Sequence, residues 1–190
     1  MESKIYYTAL QPFDANHKHG FSWEDYLAFS EINHLKELVS LDGNLNRLLF
    51  VPEMDTEADW EHLVTDQGLV MFYFNTLDYV LEKVKTIPYF NLLAIVKEPN
   101  ARKADLSDQF EFVGYDLITI GGDTSALSNG GGFDNTFLAR DLNTFGLISD
   151  YNKVKRIQRE LPLNNPDQDD TTCCLYEVWR HKIIGRKLTN

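Results

Sequence analysis

No run of apolar residues in this chain is longer than a strand. The longest, Leu69–Phe74, is closed by Gly68 and Asn75, far short of the roughly 20 apolar residues that span a bilayer. The core must therefore come from short elements folded on one another, with no membrane segment expected. With 190 residues, 43% of them hydrophobic, the chain is long enough for one domain over 1–190. At that size folding removes roughly 70% of the unfolded chain's surface from water, which is enough without covalent staples.

Periodicity places the elements. Lys4–Leu10 reads as a first strand. Ser22 with Asp25 forms a box-like helix start, and the helix should carry Trp23, Tyr26, Leu27, Leu35 and Leu38 before stopping near Asp42-Gly43-Asn44. Arg47–Val51 is a short strand ended by Pro52. Thr56 with Asp59 starts a second helix through Trp60, Leu63 and Val64, and Leu69–Phe74 follows as a buried strand. Asn75 and Asp78 introduce the clearest helix, where Leu77, Val80, Leu81 and Val84 form an i, i+3, i+4, i+7 stripe. Asn91–Val96 and Phe110–Ile120 are strands, the latter bulged at Gly114. Ser149 caps a last helix with Tyr151, Val154, Ile157 and Leu161, ended by Pro162, and Thr172–Ile184 is the last strand.

This order predicts an α+β domain: a mixed β-sheet of about six strands with about four helices packed on it. The early strand–helix alternation argues for some parallel pairing. Between them lies a long Gly/Ser/Asn-rich loop, 121–144, of the kind that is often functional. The tail 185–190 should fray.

Charge narrows the function classes. The net charge is −11, with 10 Lys and Arg against 23 Asp and Glu before residue 150, and 8 against 6 from Asp150 onward. Such a field repels nucleic acid, whose phosphates require cationic neutralisation, and attracts a protein with a basic surface. The late cations Lys153, Lys155, Arg156, Arg159 and Arg180 read as a solvated face paired to the chain's own carboxylates. The only cysteines, Cys173 and Cys174, are adjacent, where a mutual disulfide would be strained. Free thiols and no apolar signal segment at the start predict a reducing, cytoplasmic setting.

Catalytic signatures are missing from the sequence. Gly121–Phe133 lacks the lysine of a phosphate loop, and no lysine occurs between Ala104 and Asn152. Its glycine spacing does not fit the dinucleotide fingerprint. His17 and His19 are too few for a closed zinc site, and His62 has no second histidine at metalloprotease spacing. No Gly-x-Ser-x-Gly elbow is present. No cofactor, no metal and no catalytic residue is therefore expected.

Two candidate surfaces remain. Glu53–Asp66 holds Asp55, Glu57, Asp59 and Glu61 around Trp60 without a lysine or arginine, the composition of an anchor for an Arg-rich partner. The alternative is a small-ligand or enzymatic site built on the 121–144 loop from Tyr115, Asp116, Asp123 and Asn129.

The runs Phe110-Glu-Phe-Val-Gly-Tyr-Asp-Leu117, Ser125-Ala-Leu-Ser-Asn-Gly-Gly-Gly-Phe133, Phe145-Gly-Leu-Ile-Ser149 and Val178-Trp179-Arg180 resemble a group of small uncharacterised bacterial proteins associated with immunity proteins of polymorphic toxins. The resemblance implies a toxin-neutralising role and brings no catalytic residues. Where the group's loop has a cysteine, this chain has Gly130, so a thiol-based role there is not implied.

Overall fold

A computed structural model describes residues 4–17, 21–50, 59, 61–64, 73–100, 104, 106, 108–120, 124–128, 136–166 and 171–185. Its centre is one four-stranded sheet made of β1 (Ile5–Leu10), β2 (Asn91–Lys97), β3 (Phe110–Thr119) and β4 (Cys173–His181). The strand order is β1-β2-β4-β3 and every neighbouring pair is antiparallel. Among the described residues three α-helices accompany it: α1 (Trp23–Ser30), α2 (Leu77–Val84) and α3 (Tyr151–Asn164). A 3-10 turn, Ala139–Asp141, follows the Gly-rich region.

The α+β class is present; among the described residues the sheet has four strands, all paired antiparallel in place of the expected parallel pairing, with three helices, and Asp59 of the expected Thr56 helix is helical as well. The expected strand at 47–51 is reduced to one bridge, Leu10 to Leu48. Of Leu69–Phe74, only Tyr73 and Phe74 lie within the described residues, and Phe74 bridges both Tyr7 and Leu63. Leu63 and Val64, expected in a helix, instead make strand-like contacts with this segment, Val64 N–H bonding Tyr73 O at 2.8 Å. Antiparallel neighbours need no crossover helix between them, so the described sheet does not use the βαβ alternation.

Helix α1 is shorter than its apolar spacing suggested. Glu31 closes it in the left-handed conformation (φ 57), its N–H bonding Leu27 O. Leu35 and Leu38 still reach the core, but from irregular chain, where Leu38 bridges Phe13. Helix α3 begins on Asp150 rather than Ser149, with Lys153 N–H bonding Asp150 Oδ1 at 2.7 Å. It also continues through Pro162 to Asn164. Proline forfeits only its own N–H bond near a helix end, and Leu161 O still receives Asn165 N–H and Nδ2.

Both faces of the sheet are covered. On one, Tyr115, Leu117 and Leu175 pack with Trp23 and Tyr26 of α1 and Val154, Ile157 and Leu161 of α3. On the other, Leu93, Ile95, Ile118, Tyr176 and Val178 meet Val39, Leu41, Tyr73 and Leu147. That two-sided burial explains why β2 reads as a continuous apolar run instead of alternating. Helix α2 inserts Val80 and Val84 against Ala9, Phe74, Phe90 and Leu92. No helix among the described residues is long and apolar enough to cross a membrane.

Candidate functional site

Where β3 meets the Gly-rich region, two buried carboxylates organise the surrounding chain. Asp116 of β3 is fully buried and each of its oxygens accepts two hydrogen bonds. Oδ2 takes Ser40 Oγ–H at 2.9 Å and Leu41 N–H at 2.8 Å. Oδ1 takes Leu117 N–H at 2.9 Å and Ser125 Oγ–H at 2.5 Å. Asp42, also fully buried, accepts Asn44 and Leu45 N–H on Oδ1 and Ser125 N–H on Oδ2. Ser128 Oγ–H donates to Ser40 Oγ at 2.9 Å, and Tyr26 of α1 donates to Ser128 O at 2.8 Å.

This clasp ties three remote parts of the chain together: α1, the 40–45 turn, and the 124–128 segment that bridges β3 at Ile118. Burial pushes the carboxyl of Asp42 up to about 6, its backbone donors offsetting part of that effect and Asp116 adding to it. Burial likewise raises Asp116, against the pull of its four donors. The Tyr26 phenol is raised by burial and then by both carboxylates. The clasp is structural in its geometry, because the lone pairs of Asp116 are already occupied by the protein.

The two residue sets read from the sequence are not assembled as sets. Tyr115 and Asp116 are adjacent on β3 and lie opposite Glu177 and Tyr176 respectively, so their side chains leave opposite faces of the sheet. Tyr115 is buried edge-on to Phe112 and Tyr151, and its phenol is pushed up to about 12 by burial, with a further contribution from Glu177. Asp123 and Asn129 lie outside the described residues. In the acidic segment, Asp59 is buried and forms an ion pair with Lys83 of α2 at 3.0 Å, whereas Glu61 is exposed. Asp55, Glu57 and Trp60 lie outside the described residues.

The histidines have local roles. His34 Nε2 bonds Leu142 O at 2.8 Å, His62 stacks on Tyr79, and His181 Nδ1 accepts Ile183 and Ile184 N–H. Among the described residues, no group of three or more His, Cys, Asp or Glu is placed to hold a metal. Cys173 is buried and Cys174 half-buried, and neither is in a disulfide.

The distribution of charge is more informative. Lys83, Lys85, Lys153, Lys155 and Arg156 are paired to Asp59, Glu82, Asp141, Glu98 and Glu160. Arg180, nearly fully buried, bonds Glu37 at 2.9 Å and Glu111 at 2.8 Å and lies over the Phe145 ring. These six cations are thus paired with the protein's own carboxylates. The excess negative charge has its outlet at exposed positions, and α1 supplies one cluster of them: Glu24, Asp25 and Glu31. The sequence marks Ser22 and Asp25 as a cap but not the exposed aromatics Phe21, just before that cap, and Phe29, on the helix. A phenylalanine off the apolar stripe was the signal available.

Compared with protein-family models, with curated proteins and with solved structures, the chain matches none.

Proposed function

We propose that this chain is a non-enzymatic cytoplasmic binding protein of immunity type, which neutralises a basic toxin or effector by occluding its functional surface. The observation that carries this reading is the net charge of −11, to which is added that six of the 18 Lys and Arg are already held by the protein's own carboxylates. A surface so biased speeds encounter with a positively charged protein and penalises acidic ones. The Asp42–Asp116 clasp supports the same reading, since a pre-ordered scaffold lowers the conformational cost of binding.

The test is retention of a partner from source-cell lysate on the immobilised chain, followed by reconstitution with that purified partner. The reading expects a basic protein bound in fixed stoichiometry, with an association rate that falls at least tenfold between about 20 and 500 mM salt. An acidic partner, or an association rate indifferent to salt, would overturn it.

A further inference from the structure

We propose that the solvent-facing side of α1 is a docking surface for a partner segment that combines arginine with aliphatic side chains. The inference rests on the basic-partner reading above and assigns it a place on the molecule. Phe21 and Phe29 are 47% and 57% exposed, and their rings meet edge to face at 6.3 Å. Glu24, Asp25 and Glu31 are exposed on and beside the same face, and the last turn of the helix has no basic residue.

Part of this arrangement serves the helix itself. Ser22 Oγ accepts Asp25 N–H at 3.1 Å and donates to Asp25 Oδ2 at 2.7 Å. Phe21 then packs on Tyr26 at 6.4 Å, the hydrophobic staple that fixes chain entry into a helix. Neither contact explains Phe29, which lies a turn beyond the cap and gains nothing from solvent. Exposed rings with exposed carboxylates at neighbouring positions of the same helix offer a guanidinium two kinds of partner, a ring to stack on and an oxygen to bond. The aliphatic neighbours of that arginine would cover the remaining ring surface.

The helix is also held firmly. Trp23 and Tyr26 are buried on its inner side, and Tyr26 is tied to Ser128 O, so little ordering cost remains for binding. A second copy of this chain is a poor occupant, because it would bring the same carboxylates face to face. Another exposed apolar pair, Ile183 and Ile184, sits next to Lys182 instead of carboxylates and lacks the charge to select a basic segment.

The experiment is a titration of the isotopically labelled full chain with a synthetic helical peptide of arginine and leucine, followed by amide chemical shifts. A peptide with glutamine in place of arginine serves as the control. Shifts clustered over residues 21–31, with at least tenfold weaker binding by the control and by the Phe29→Gln and Glu24→Gln variants, are expected. Both substitutions are at exposed positions and should leave the melting temperature unchanged. Shifts centred on another acidic region would overturn the α1 assignment while leaving the basic-partner reading in place. Equal binding of the glutamine peptide at α1 would overturn the arginine chemistry, and no binding of either peptide anywhere would overturn the surface altogether. The partner retained from lysate tests the wider reading separately.

Discussion

Asp42 illustrates how one residue can couple the scaffold to pH. Its carboxyl is raised to about 6 in the fold by burial, against about 4 for an unfolded chain. Below about pH 4 both states are protonated and the group contributes nothing differential. Between about pH 4 and 6 the unfolded chain releases its proton first, so this group's contribution to stability falls as pH rises, by about 3 kcal/mol in all. Urea unfolding of the wild type and Asp42→Asn at pH 4, 5, 6 and 7 isolates the effect. The stability of the wild type relative to the variant should decline across that range; a constant difference would contradict the buried-charge account. Asp42 was visible in the sequence only as a turn residue, because its partner Ser125 lies 83 positions away. Likewise Ser40 and Asp116, separated by 76 positions, share no local pattern that could announce their bond. The Ser22–Asp25 cap, closed within three residues, was legible for the opposite reason.

At the scale of elements, the sheet's edges show what local patterns could and could not reveal. Strands β2, β3 and β4 were readable because each is a run of strand formers bounded by polar turns. Of the edge coverings, Phe74 falls on the expected strand Leu69–Phe74, whereas Ile148 does not belong to any expected strand. Beside β1, Tyr7 exchanges backbone bonds of 2.8 Å with Phe74, and beside β3, Tyr115 pairs with Ile148. A single bridge such as that at Ile148 satisfies an exposed edge without a period long enough to recognise. The β3 covering depends on a tight turn in which Asn143 Oδ1 accepts Phe145 and Leu147 N–H and Gly146 N–H bonds Asn143 O. Gly146 has φ +78, and an added Cβ would lie 2.4 Å from Leu38 Cδ1. Gly146→Ala should therefore cost about 1–3 kcal/mol in strain and displaced packing, read as a lower urea midpoint. An unchanged midpoint would mean that the turn does not govern the edge.

For the whole molecule, the net charge makes opposite demands on folding and on binding. Carboxylates in excess repel one another more strongly in the compact state than in the expanded one. The half-exposed pairs Arg156–Glu160 and Lys155–Glu98 offset little of this, because exposed pairs are typically worth well under about 1 kcal/mol. The Arg180 pair with Glu37 is buried on both sides and is screened least. Raising sodium chloride from about 20 to 500 mM shortens the screening length from roughly 20 Å to about 4 Å, which suppresses the long-range repulsion before it touches that buried pair. The free protein should consequently gain stability with salt, on the order of 0.5–1 kcal/mol, while its association with a basic partner slows. Urea midpoints and association rates measured on the same salt series decide the matter. A midpoint that falls with salt would show that attractive surface pairs dominate the fold, and the outward negative field invoked for partner capture would lose its physical basis.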